Sequence, residues 1–340
     1  MSLSIISILT TSSFIIGAAL VLDFCIGEPK RYHPLIGFGN IAIWVERKLN
    51  QPNLRIGRYI SGLLAWMLLI LPITAGVFFS SSILLAAFAE TSLFGLRLDA
   101  FFNIIIELVL LYLCIGWKSL VQHVNAIQLA LQQNNITLAR QRTQYIVSRD
   151  ADALTEQQIS QTAIESMLEN GNDAIFGCLF WFLVAGAPGA VMYRLANTLD
   201  AMWGYRTPRY KQFGWAAAKL DDLLNIIPAR LCALSYALLG NTRRALHCWQ
   251  SQAHLLSSPN GGPVMSSGAG GLQVILGGPT YYHGKLVDKP FFGEGSKPIG
   301  NDIHRTVILV NRTVYLWFLV IFCSGLAYEL AHSAIRGLYL

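Results

Sequence analysis

A chain of 340 residues that is 54% hydrophobic and only 13% charged, with a mean hydropathy of +0.46, lies beyond the range of a water-soluble globule and reads as membrane-embedded. The net charge of +6 and pI near 9.0 fit cytoplasmic loops retained by Lys and Arg. Nucleic acid is not an expected partner, because the basic residues are scattered among acids and no basic run is interleaved with aromatics.

Residues 3–22 are apolar or hydroxylic and are followed, not preceded, by charge, so they read as a retained first span and not as a cleaved signal. Lys30, Arg31, Arg47, Lys48, Arg55 and Arg58 then place the loop 23–58 in the cytoplasm and the N-terminus outside. Within it, Ile41 to Leu49 has apolar residues at helical spacing, an amphipathic helix at the membrane surface. The run 59–85 predicts a second span and 101–117 a third, since about 20 apolar residues cross the hydrocarbon. Glu107 lies in the middle of the third and must face protein or water; polar pairing and catalysis are both open to it.

From Lys118 to Arg149 the pattern is that of one or two amphipathic helices. Thr155 and Gln158 form a capping-box pattern for a helix over 156–169. Glu165 and Glu169 then share one face, four residues apart, with Asp173 just beyond. The apolar runs 174–192 and 223–240 are interrupted by Gly186, Pro188 and Gly189 and by Pro228 and Arg230. If both crossed, Arg194, Arg206, Arg209, Lys211 and Lys219 would lie outside, against the charge bias. They are therefore expected to be re-entrant, interfacial or buried helices. Residues 257–300, rich in Gly and Pro, read as loops, and 313–331 form the last span. The expected fold is all-α and polytopic: one membrane domain over 1–340 with four spanning helices, re-entrant or buried helices, and a large cytoplasmic helical and loop region over 118–312.

The ionisable residues concentrate between Ser148 and Arg230. The carboxylates Glu165, Glu169, Asp173, Asp200, Asp221 and Asp222 could bind a hard cation such as Mg²⁺, or pair with nearby arginines. Arg194, Arg206, Arg209 and Arg230 could clamp phosphate or carboxylate, or hold a loop inside by charge. The stretch 258–279 could offer backbone N–H groups to an anion, or be a turn-rich loop. Neither a G-x-x-x-x-G-K-[ST] nor an H-E-x-x-H motif is present. Gly37-Phe38-Gly39-Asn40-Ile41-Ala42 imitates a dinucleotide loop but no strand pattern precedes it. His247 and His254, seven apart, read as structural or interfacial. Cys25, Cys114, Cys178, Cys232, Cys248 and Cys323 show no C-x-x-C spacing and read as reduced packing residues.

Taken together, Ser148-Arg149-Asp150, Glu165-Ser166-x-x-Glu169-Asn170, Gly186-x-Pro188-Gly189-Ala190, Asn197-Thr198-Leu199-Asp200-x-Met202-x-Gly204-Tyr205, Arg209-Tyr210-x-x-Phe213-Gly214 and Leu220-Asp221-Asp222-Leu223-Leu224-Asn225-x-x-Pro228-Ala229-Arg230 resemble the cobalamin-biosynthesis family of CobD and CbiB proteins. The resemblance extends to Leu22-Asp23, Gly27-Glu28-Pro29, His33-Pro34, Ser258-Pro259-Asn260 and Leu276-Gly277-Gly278-Pro279-x-Tyr281-Tyr282-x-Gly284. It implies an inner-membrane, ATP-dependent ligase that joins aminopropanol or its O-phosphate to the propionate of adenosylcobyric acid, a corrinoid. ATP, Mg²⁺, membrane lipid and other corrinoid-pathway enzymes are the cofactors and partners it implies. On this reading Glu165, Glu169, Asp173, Asp221 and Asp222 are catalytic, the first three also holding the metal. Arg194, Asn197, Asp200, Arg206, Arg209, Asn225, Arg230, Asn260, Gly277 and Gly278 bind substrate or phosphate. The chain departs from the family pattern at Gly27-Glu28-Pro29, at Glu169-Asn170-Gly171-Asn172-Asp173, and at Pro263-Val264-Met265, where the family carries Trp-Pro-Glu. The last departure keeps open a non-catalytic sensor similar to AmpE-like proteins; a transporter is disfavoured by the absence of an internal repeat.

Overall fold

The computed structural model describes residues 2–29, 31–51, 57–87, 92–93, 96–147, 150–282 and 285–338. Lys30, Arg55, Ser148, Arg149 and Gly284 of the sequence motifs lie outside the described residues. The fold is all-α, as expected, with only short two-stranded pairings. It divides into two compact units.

The first unit comprises Met1–Gly116, Gly177–Leu224 and Phe318–Leu340. It contains α1 (Ser2–Ile26), α2 (Pro34–Leu49), α3 (Arg58–Ala87), the hairpin of β1 (Ser92–Leu93) and β2 (Leu96–Arg97), α4 (Leu98–Cys114), α8 (Gly177–Trp203) and α9 (Trp215–Leu224). α2 begins where Pro34 follows His33, whose Nδ1 accepts the Leu35 N–H at 3.2 Å; proline suits a first helical turn because it has no N–H to orphan. α3 and α4 pack on α8, around Ala65, Ile70, Leu111, Tyr193 and Trp203, all essentially buried. In contrast Leu64, Leu68, Leu71, Phe78, Phe79 and Ile83 of α3 point outward, and only 28% of its apolar stretch is covered. An apolar surface that large is sustained by lipid, not water.

Among the described residues, four helical stretches are long and apolar enough to cross a membrane: Arg58–Ser80, Ala100–Gln132, Glu156–Trp203 and Gly300–Ala331. The third contains the run 174–192, so length and hydropathy alone admit that segment, but its backbone is broken. Ala185 and Gly186 leave helical geometry, Gly186 at φ +62°. The left-handed conformation suits glycine, which has no Cβ to clash, and Pro188 could not donate across the break in any case. Glu107 of α4 lies against this break: a Cβ on Gly186 would stand 3.2 Å from its Oε1. The mid-span acid thus faces protein, as its cost in lipid requires.

The second unit comprises Trp117–Phe176 and Asn225–Trp317. It holds α5 (Trp117–Gln132), α6 (Ile136–Gln144), α7 (Glu156–Gly171), a π-helical turn Asn172–Phe176, α10 (Ile226–Leu239), α11 (Thr242–Gln252), α12 (Gly261–Leu272), β3 (Ile275–Gly277), β4 (Thr280–Tyr282), β5 (Lys285–Val287), β6 (Phe291–Gly293) and the first half of α13 (Gly300–Leu338). β3 pairs antiparallel with β6, and β4 with β5. The capping box at Thr155 is formed: its hydroxyl accepts from Gln158 N, and the Gln158 amide accepts from Thr155 N at 2.9 Å.

One expectation is overturned. Residues 257–300 are not loop throughout, because Gly261–Leu272 forms α12, buried at nearly every position between α10 and α11. The small residues that resemble a loop are there to let helices approach closely. A Cβ on Gly270 would stand 2.6 Å from the Arg244 carbonyl oxygen and 2.9 Å from the Ala245 Cα. Pro263 and Val264, in the stretch that departs from the family pattern, are buried in its first turn, where proline is tolerated. Gly270→Ala should force α11 and α12 apart, since backbone cannot swing aside as a side chain can. The expected loss is about 1–3 kcal/mol, read as a lowered midpoint of thermal unfolding in detergent.

Candidate functional site

In the second unit α7, the π-helical turn, α10 and α12 pack together, and they carry Glu165, Glu169 and Asp173. Glu165 Oε1 accepts the Gly277 N–H at 2.9 Å and the Gln161 amide at 2.9 Å, while Gln161 also donates to the Gly277 carbonyl at 2.6 Å. The glycine-rich turn does present an N–H to an anion, but the anion is the protein's own carboxylate. Gly278 N–H is also engaged, donating to the Pro290 carbonyl at 3.2 Å. That Glu165 oxygen thus anchors the turn after β3.

Glu169, one turn on, is exposed beside the start of α12, where a Cβ on Gly261 would stand 3.1 Å from its Oε1. Like charges four apart are thus separated in task, one acid held by an N–H and the other facing a helix N-terminus, whose dipole favours it. Asp173 is half-buried in the π-helical turn, a wide-turn irregularity common at functional sites. Its Oδ1 accepts from Asn172, whose amide also donates to Asn225 Oδ1, both at 2.9 Å. Arg230 donates to Asn260 Oδ1 at 2.9 Å and to the Ile226 carbonyl at 2.8 Å, so this guanidinium braces α10 against the start of α12.

In the first unit Asn197 of α8 donates to Asp221 of α9 at 3.4 Å, and Asp221 is buried. Asp200 is half-buried one turn after Asn197, its Oδ1 2.0 Å from where a Cβ on Gly204 would lie. Asp222 pairs with Lys219 at 3.1 Å and Arg209 with buried Glu46 at 2.6 Å, so these two expected site residues have nearby structural partners. Arg206 is exposed. The two sets of predicted residues belong to different units.

A further group carried motif residues without an assigned role. Asp23 is fully buried and His33 nearly so. Because His33 Nδ1 accepts the Leu35 N–H, the ring proton sits on Nε2. That buried Nε2 has no hydrogen-bond acceptor among the described residues, and neither has Arg194 Nε. Burial holds the imidazole below its usual range, opposed by Glu28 and aided by the charge of Arg194. A buried donor without an acceptor costs about 1–3 kcal/mol, which a ligand oxygen would recover. The signal was visible in the sequence as an acid and a histidine directly after an apolar span.

The model of the family described as CobD/Cbib protein matches residues 16–310. The chain belongs to that family. It is 49% identical to "Cobalamin biosynthesis protein CobD" of Stutzerimonas stutzeri over 91% of this chain and 97% of the relative. The identity to the Chromobacterium violaceum protein of the same name is 47%, over 90% and 94%, and to that of Clostridium perfringens 34%, over 88% and 94%. No solved structure matches.

Within this CobD/Cbib fold, the three expected metal carboxylates lie along α7 and the π-helical turn that follows it. Among the described residues, the one set of three metal-ligating side chains with donor atoms within 4.8 Å of one another is His247, Cys248 and Glu294. Oxygen donors at Glu169 and Asp173 nevertheless suit Mg²⁺, which uses one or two carboxylates and completes its shell with water and phosphate.

Two outcomes follow from this geometry. Glu165→Ala should raise amide exchange at Gly277 and destabilise the turn by about 1–3 kcal/mol, whereas Glu165→Gln, which keeps an acceptor, should change both less. For Glu46, burial raises the carboxyl pKa, but hydrogen bonds from Arg209 and Asn50 outweigh it and leave it below the ordinary 4.5. A depressed folded-state pKa stabilises the protein above 4.5 and loses that contribution as pH falls through the lowered value. Glu46→Gln should therefore flatten acid unfolding in that window, followed by tryptophan fluorescence.

Proposed function

We propose that this chain acts in cobalamin biosynthesis as an ATP-dependent amide ligase of the adenosylcobinamide-phosphate synthase type. It would sit in the inner membrane with its active region on the cytoplasmic side. The observation that carries the reading is the match along nearly the full length of relatives named for cobalamin biosynthesis, 97% of the Stutzerimonas protein. The residues suit the chemistry. A propionate is a poor acyl donor, and attack of its oxygen on the γ-phosphorus of ATP gives an acyl phosphate and ADP. The amine of aminopropanol, free or O-phosphorylated, then attacks the acyl carbon, the C–N bond forms and phosphate leaves.

In this scheme the second unit carries the chemistry: Arg230, already fixed to Asn260, would meet phosphate, and a carboxylate of that unit would take the proton of the attacking amine. Glu169 and Asp173 would hold Mg²⁺, whose bound charge offsets that developing on the phosphoryl oxygens.

The test is growth of a bacterium lacking its aminopropanol-attaching enzyme, with cobyric acid as the sole corrinoid. The wild-type chain should restore growth. Asp173→Asn and Glu169→Gln, inserted at normal levels, should reduce arm attachment by about 10²-fold or more if each acts on the reacting phosphate. Full activity in both would remove them from the site, and no growth with the wild-type chain present in the membrane would remove the reading itself.

A further inference from the structure

The second unit holds a side-chain constellation that amide ligation does not use. His247 and Cys248 are consecutive on α11, and Glu294 follows β6 directly. A ligand atom from each, an imidazole nitrogen, the thiol sulfur and a carboxylate oxygen, lies within 4.8 Å of the other two. Sequence spacing drew attention to His247 with His254, but His254 is exposed in the turn Ala253–Leu255, outside that set. The third donor follows a strand distant in sequence, which no local pattern relates to α11.

The scaffold beneath these groups is held in place. Gln252, one turn after Cys248, clamps β6 to α11: its Oε1 accepts the Gly293 N–H at 2.6 Å and its Nε2 donates to the Gly293 carbonyl at 3.5 Å. A Cβ at Gly293 would stand 2.1 Å from the Val274 oxygen, so the strand is also pressed against the start of β3. Glu294 is thereby placed opposite His247, at 3.7 Å. Cys248 is buried beneath the two exposed side chains. The opposing charge is Arg244, whose Nε is 3.8 Å from Glu294 Oε1 and whose Nη1 donates to Gln273 at 3.2 Å. At that separation and exposure the pair is weak, and a cation bound to the carboxylate would displace it toward Gln273.

We propose that His247, Cys248 and Glu294 form a binding site for a borderline divalent transition-metal ion such as Zn²⁺, pinning β6 to α11. One nitrogen, one sulfur and one oxygen donor match the ligand preferences of that ion, not of Mg²⁺ or Ca²⁺. Three protein ligands leave a fourth tetrahedral position for water. Binding converts the thiol to a thiolate and releases one proton per ion.

The full-length protein, purified in detergent without a polyhistidine tag, is titrated with Co²⁺ and then with Zn²⁺. The expected result is a thiolate-to-cobalt charge-transfer band that saturates at one equivalent and is abolished by Zn²⁺. It should be absent in Cys248→Ser, and binding should weaken at least about tenfold in His247→Ala and in Glu294→Gln. Both of those side chains are exposed, so the two variants keep the test valid should Cys248→Ser fail to fold. Absence of the band in the wild-type protein would overturn the proposal. So would its persistence in folded Cys248→Ser, or unchanged affinity in the other two variants.

Discussion

A charged or hydrogen-bonding group carried into an apolar body has to be met there, and that constraint organises this protein more than any single helix. Glu165 is met by a backbone N–H of the turn after β3 and Glu46 by the guanidinium of Arg209. The side-chain NH₂ of Asn172 is met by Asp173 and Asn225. Each solution ties together segments distant in sequence, so the polar groups act as locks within their own units. Leaving any one unmet would cost a large part of the net stability of a typical domain.

Within that framework the unmet groups acquire meaning. His33 Nε2 and Arg194 Nε are donors, buried and without an acceptor among the described residues, and the charges of Glu28 and Arg194 both act on that imidazole. A ligand rich in oxygen is what such donors would take up. Glu107, by contrast, is placed beside the broken backbone of α8, a location that accounts for a mid-span acid without calling on catalysis.

The glycines serve a different constraint, that of distance between backbones. In α12 they let three helices close to separations a methyl group would prevent. A composition that looks like a flexible, anion-binding loop is instead one of the most buried elements of the second unit. The N–H of Gly277 donates to a carboxylate of the protein itself, that of Glu165. The same close packing brings β6 alongside α11 and so assembles His247, Cys248 and Glu294.

The sequence alone determined the class, the apolar helices, the capped start of α7 and the family, because these rest on local composition, helical periodicity and long motifs read in order. Thr155 and Gln158 announce a cap with no knowledge of the rest of the chain. It could not separate the acids that form a site from those that brace one, and it missed α12. Glu165 and Glu169 are indistinguishable by spacing, yet one anchors a turn over a hundred residues away and the other lies exposed beside the start of a helix. Arg209 and Arg194 look alike in sequence, yet one is paired with a buried acid and the other has a buried donor unfilled. Whether a polar group is spent or available depends on what long-range packing places within about 3 Å of it, and only the tertiary structure decides that.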